Sequence, residues 1–189
     1  YCVPSGNFGN LTAGLMAKKM GLDVSRFIAA TNINDIVPRY LKTGKFVSRV
    51  SRETISNAMD VGSPSNFARM LDMYGNDFRK MKKDIIGISV SDKETCETIK
   101  NVYRETNYIC DPHTAVGVAA ARKSNVSQPI IILATAHPAK FKEIIEPIIG
   151  KKIILPAQLK AIAHKKNKSI LMENNLEDLR KIILKENSA

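Results

Sequence analysis

"CVPSGNFGN", residues 2–10, decides how this chain is read. A short apolar stretch gives way to Ser5, Gly6, Asn7, Phe8, Gly9 and Asn10. Glycine loses more backbone freedom on folding than any other residue, so a loop of this composition is costly to order and implies close contact with its backbone. "NLTAGLMAKKMG", residues 10–21, follows directly. Its Leu11, Leu15 and Met16 keep helical spacing, Lys18 and Lys19 sit near the C-terminus, and Gly21 is a stop signal. The stretch is therefore a strand, a loop and a helix. The first N–H groups of such a helix have no internal partners, and with the positive end of the helix dipole they form an anion site, usually for phosphate. Ser5, Asn7 and Asn10 are placed to add side-chain hydrogen bonds or to cap the helix. The spacing is neither a GK[ST] phosphate loop nor a G-x-G-x-x-G fingerprint. On spacing alone, phosphate binding and a plain strand-to-helix turn stand level.

Outward from this stretch the elements alternate. "RFIAAT" (26–31) and "IIGISVSD" (85–92) read as a second and third strand. A helix is expected from about Lys93 to Arg104, capped by Ser91 or Asp92, with acids early and bases late. "HTAVGVAAARK" (113–123) reads as a close-packing helix, and "PIIILAT" (129–135) as a fully buried strand. "PAKFKEIIEPIIG" (138–150) reads as a helix starting at Pro138. Residues 40–84 are less regular and rich in Ser, Asn and Gly, which suggests a long functional loop with short helices. The fold class expected is α/β, with a largely parallel sheet flanked by helices over residues 1–150, followed by a basic helical segment over 151–189.

With 189 residues, 44% of them hydrophobic, the chain can bury a core, and no apolar run approaches the ~20 residues of a membrane span. It opens on Tyr1 rather than methionine and has no signal peptide, so it reads as a piece of something longer. Cys2, Cys96 and Cys110 lack metal-type spacing and are odd in number, which favours inert thiols in a reducing cytoplasm. The net charge of +11 invites a nucleic-acid reading. Yet the final 40 residues hold nine Lys/Arg against four Asp/Glu, and "LKAIAHKKNK" (159–168) has no aromatic residue to stack on a base. A solvated helix face is the simpler reading of that cluster, and attraction for anionic small substrates the next.

"CVPSGNFGNLTAGLMAKKMG" (2–21), "FIAATNINDIVPRYLKTG" (27–44), "TISNAMDVGSPSNFAR" (54–69), "DPHTAVGVAA" (111–120) and "LATAHPAKF" (133–141) occur in this order. Together they resemble the threonine synthases, pyridoxal-phosphate enzymes of the tryptophan synthase β-like class, fold type II. The resemblance covers most of residues 1–150 and is weak across the basic tail. It implies that Ser5, Gly6, Asn7, Phe8, Gly9 and Asn10 cradle the phosphate of pyridoxal 5'-phosphate, although the Phe8 side chain could equally be packing filler. It also implies that the hydroxyl of Thr135 stands beside the pyridine nitrogen; capping of the next helix is the rival role for that residue.

Arg39, His113 and His137 are substrate candidates by the same resemblance. Arg39 also sits at i to i+4 from Asp35, which makes an ion pair the simpler reading. Each lone histidine could instead be structural. The family's Schiff-base lysine lies well before the phosphate loop, so it is expected outside this chain, which would then be the C-terminal part of the enzyme and inactive alone. The whole enzyme would convert O-phospho-L-homoserine and water to L-threonine and phosphate, with no nucleic acid and no membrane involved. Surface left open by the missing half is expected to drive self-association. Two alternatives remain at this stage. One is a related fold type II enzyme, such as a dehydratase, a cysteine synthase or a threonine synthase-like phospho-lyase. The other is a non-catalytic basic module for nucleic acid.

Overall fold

The structure is a computed structural model that describes residues 1–127, 129–166 and 168–186. It divides into two compact units, Tyr1–Ile154 and Leu155–Ala189.

In the first unit, β1 (Cys2–Pro4), β2 (Phe27–Thr31) and β3 (Ile85–Ser89) form a parallel sheet in that order. Cys2 pairs with Ile28, and Phe27 with Ile85. On the far side of β1, Ile132 makes a single parallel bridge to Cys2, with Cys2 N–H donating to Ile131 at 2.8 Å and Leu133 N–H donating back to Cys2 at 3.0 Å. The expected buried strand at 129–135 is therefore reduced to one bridge, and Ile131 is 57% exposed. Among the described residues this segment is paired on one side alone, with β1.

Helices cover both faces. Val3, Phe27, Ala29 and Ile85 pack under Leu11 and Leu15 of α1 (Gly9–Lys19), Val37 and Leu41 of α2 (Ile36–Thr43), and Met70 of α3 (Phe67–Met73). Met81 of α4 (Phe78–Asp84) joins the same cluster. The stretch 40–84 is thus partly a core layer, and its irregular part is confined to about residues 44–66. On the opposite face, Cys2, Ile28 and Ala30 meet Val116, Ala119 and Ala120 of α6 (Pro112–Lys123). α5 (Asp92–Thr106) and α7 (Lys142–Ile149) pack outside α6 through Ile99, Val102 and Ile145.

Local chemistry sets the boundaries. Ser91 and Glu94 close a reciprocal capping box on α5. Asp111 caps α6, accepting from the N–H groups of His113 and Thr114, with Pro112 in the first turn. The expected helix from Pro138 starts instead as a 3-10 turn, Pro138–Phe141, because Phe141 leaves helical geometry at φ −130° before α7 begins.

The second unit holds α8 (Ala157–Ile162) and α9 (Leu176–Glu186). The basic cluster is helical only through Ile162; His164, Lys165, Lys166 and Lys168 lie beyond it and are exposed, and Asn167 is outside the described residues. No helix among the described residues is long and apolar enough to cross a membrane.

Candidate functional site

The C-terminal end of β1 opens into a cleft of about 210 Å³. Its lining brings together the six residues from Ser5 to Asn10, together with Ala58, Met59, His113 and Thr135. Ligands of open parallel sheets sit at this end of the strands, because the flanking helices begin there.

α1 starts at Gly9, and its N-cap Phe8 offers no side-chain cap. Thr12 N–H is the first to find a helical carbonyl, that of Phe8 at 2.9 Å. The N–H groups of Gly9, Asn10 and Leu11 are left over by helix geometry and face the open end. The unusual torsion falls on Phe8, at φ +61°, and not on either glycine. Its ring is 3% exposed and packs with Leu11 and Leu15, and that anchorage holds the left-handed turn that presents the helix terminus. Phe8 thus fills the core with its side chain while it also lines the cleft.

The two glycines differ in kind. A Cβ on Gly6 would stand 2.7 Å from Met59 Cα and 2.9 Å from the Ala58 oxygen, so Gly6 is required by the loop pressed against it. A Cβ on Gly9 would meet nothing nearer than Asn66 Nδ2 at 3.7 Å. The polar side chains mostly face the protein. Ser5 Oγ donates to the Val3 carbonyl at 3.0 Å, and Asn7 accepts from Ser65 N–H at 2.6 Å. Asn10 is exposed, with no side-chain hydrogen bond among the described residues. The cleft floor is thus backbone amides and helix terminus, with no lysine or arginine in its described lining.

The other wall is the turn Asn57–Met59, held from two directions. His113, 3% exposed, accepts the Ala58 N–H on Nε2 at 3.2 Å and bonds Asp111 through Nδ1 at 2.9 Å. With Nε2 as acceptor, Nδ1 carries the proton and donates to the carboxylate. Burial pushes the Asp111 carboxyl up, but hydrogen bonds from His113 and Thr114 outweigh it and leave the carboxyl below its ordinary value. α6 can bring this pair to the cleft because Gly117 lets it lie against the sheet: a Cβ there would meet Ile132 at 2.8 Å and Pro4 at 3.0 Å. From the second direction, Asp60 Oδ1 accepts from Asn32 at 2.7 Å, Asn34 at 3.1 Å and Thr54 Oγ1 at 2.7 Å. Asn32 is 1% exposed at the end of β2, so this network ties the turn to the sheet.

Thr135 is exposed on the cleft wall and caps nothing; the cap of the following turn is His137, whose Nδ1 accepts from Ala139 N–H at 3.1 Å. Arg39 and His137 are not part of the cleft lining. Arg39 pairs with Asp35 at 2.7 Å, as its spacing suggested. Sequence reasoning assigned no role to Asn32, Ala58, Met59 and Asp60. An asparagine directly after the strand-like "FIAAT", and the polar run "TISNAMD" further along, were the signals on offer.

A family model described as pyridoxal-phosphate dependent enzyme matches residues 1–135, and one described as threonine synthase, C-terminal, matches residues 114–183. Threonine synthase of Escherichia coli is 45% identical over 158 residues, covering 83% of this chain and 36% of that protein. The Haemophilus influenzae threonine synthase is 42% identical over 184 residues, covering 97% of this chain and 43% of that one. Among solved structures, a pyridoxal-phosphate-bound threonine synthase from Brucella melitensis superposes with a TM-score of 0.88 at 32% identity, covering 99% of this chain and 46% of that one. The chain thus spans less than half the length of the relatives it matches. With cleft, fold and relatives in agreement, the chain belongs to the pyridoxal-phosphate dependent enzyme family, and its relatives within it are threonine synthases.

Proposed function

We propose that this chain supplies the phosphate cup and the pyridine-nitrogen partner of a threonine synthase, and that the cofactor lysine lies in a part of the enzyme not contained here. The observation that carries the reading is the cleft itself: it brings the start of α1 together with Thr135, and no lysine lines it among the described residues. An aromatic phosphate ester suits such a site. The uncapped terminus attracts the dianion, the open space over Gly9 admits it, and Thr135 offers a neutral hydroxyl to a ring nitrogen.

When bound, the cofactor supplies an electron sink for carbanion chemistry. This chain's residues orient it. The loop Ser5–Asn10 would hold the phosphate, with the N–H groups of Gly9 and Asn10 at the start of α1, and Asn7 fixes the loop through Ser65. His113 sets the width of the cleft through Ala58. A neutral hydroxyl at Thr135 leaves the ring nitrogen largely unprotonated and so moderates the sink. The whole enzyme, on this reading, turns O-phospho-L-homoserine and water into L-threonine and phosphate in the cytoplasm.

The test is a titration of this chain with pyridoxal 5'-phosphate, followed by borohydride reduction and peptide mapping. Saturable binding that Gly9→Leu abolishes, without adduct concentrated on one lysine, is the expected result. Adduct on a single lysine, or steady phosphate release from O-phosphohomoserine by this chain alone, would overturn the division of the site.

A further inference from the structure

β3 ends the sheet, and its outer edge has no partner strand among the described residues. Which of its backbone groups face outward follows from one bond, Val90 N–H to the Thr31 carbonyl at 2.9 Å. Alternation along a strand then turns even-numbered residues toward β2 and odd-numbered ones toward the edge. Ile85 N–H is already given to the Met81 carbonyl, and the Ser89 carbonyl accepts Lys123 Nζ at 3.0 Å. Between them Gly87 turns a donor and an acceptor outward.

A groove of about 670 Å³ runs over this edge, roughly three times the volume of the cofactor cleft. Gly87 lines it, together with Arg26, Arg39, Lys42 and Lys82, all four of them exposed. Asp35 is the one acid in its described lining, and Arg39 already neutralises it at 2.7 Å. Lys42 and Lys82 make no ion pair among the described residues. The groove therefore combines a strand-pairing edge with surplus positive charge.

We propose that this groove is a docking site for an acidic peptide in extended conformation, which adds to the outer edge of β3 as a further strand. Backbone bonds to Gly87 would give the register, and carboxylates on the peptide would meet the two cations of α2 on one side and Arg26 and Lys82 on the other. A second copy of the chain is the poorer occupant, because pairing two β3 edges sets the same cations against each other. Nucleic acid is disfavoured by the absence of any aromatic side chain from the described lining.

The experiment measures fluorescence anisotropy with a labelled octapeptide of alternating Glu and Val, its analogue N-methylated at alternate backbone nitrogens, and an oligothymidylate of equal length. Expected are saturable binding of the first peptide, about tenfold weaker binding by the Lys42→Glu, Lys82→Glu double variant, a similar loss on N-methylation, and slowed exchange of the Gly87 amide. Equal binding of the N-methylated peptide overturns strand addition, and tighter oligothymidylate binding makes the groove a nucleic-acid site. No binding at all reduces the cations to guards against edge-to-edge aggregation. The N-methyl comparison needs no variant and decides the matter even if the double variant fails to fold.

Discussion

Alanine at Gly6 and alanine at Gly9 add the same methyl group three residues apart, and the structure gives them opposite outcomes. At Gly6 the new Cβ falls 2.7 Å from Met59 Cα and 2.9 Å from the Ala58 oxygen, well inside the 3.4 Å at which ordinary contact begins. Both obstacles are backbone, so no rotamer change relieves them. The turn Asn57–Met59 must move, against the His113 bond to Ala58 and the Asp60 network that hold it. Overpacking of this kind costs about 1–3 kcal/mol. At Gly9 the added carbon stays 3.7 Å from its nearest neighbour, and alanine is the better helix former by up to about 1 kcal/mol. Urea unfolding of both variants reads this directly: the Gly6→Ala midpoint falls at unchanged slope, while that of Gly9→Ala holds or rises. Cofactor titration should show a parallel loss for Gly6→Ala. Equal destabilisation of the two variants, or a Gly6→Ala protein as stable as the parent, would refute the claim that Gly6 is fixed by the opposing turn.

Asp60→Ala should cost on the order of 2–3 kcal/mol, since it strands donors of Asn32, Asn34 and Thr54; hydrogen exchange over residues 54–60 should rise with it. The Lys123 ammonium beside Glu94, with the Ser91 N–H, holds its carboxyl at about 2 against an ordinary 4.5. A depressed carboxyl contributes stability that is complete above pH 4.5 and drains away as pH falls toward 2, so Glu94→Gln should flatten the stability profile across that window. Because the Glu94 side chain is 41% exposed, solvent screening keeps the effect small, and added salt should shrink it further. Burial pushes the thiols of Cys2 to about 12 and Cys110 to about 11, so a thiol reagent at pH 8 should label half-buried Cys96 first and the other two only on unfolding. Thr135→Val, at an exposed position, should leave the unfolding free energy within about 0.5 kcal/mol while changing the absorption of bound cofactor.

The alternation of strands and helices was readable because each element carries its own period and its own stop. Ser91 with Glu94, Asp111 with Pro112, and Gly150 after α7 mark boundaries by local chemistry alone. What local chemistry cannot report is which partner lies across a strand. "PIIILAT" has the composition of a central strand, yet among the described residues it forms one bridge, to Cys2 at the other end of the first unit. The same holds at the site. The loop Ser5–Asn10 announced itself through its glycines, but Gly6 is demanded by Met59, a contact 53 positions along the chain. His113, a substrate candidate by resemblance, engages protein groups with both ring nitrogens, a contact its sequence neighbours do not announce. Composition points to where a backbone is special; the opposing surface decides what that is for.

The Cys2–Ile132 bridge carries a consequence for how the molecule comes together. β1 lies between β2, about 25 residues away in sequence, and a segment 130 residues downstream. One flank of β1 can zip early, whereas the other waits until nearly the whole first unit has been made. Loops of that length close slowly, and an unfilled strand edge is adhesive in the meantime. A nascent chain should therefore pass through a half-built sheet whose open side is β1 itself. Ribosome-stalled chains in which Leu133 is still inside the exit tunnel, and chains in which it has emerged, should differ sharply in protease resistance at residues 2–4, with protection gained as a step when the last partner arrives.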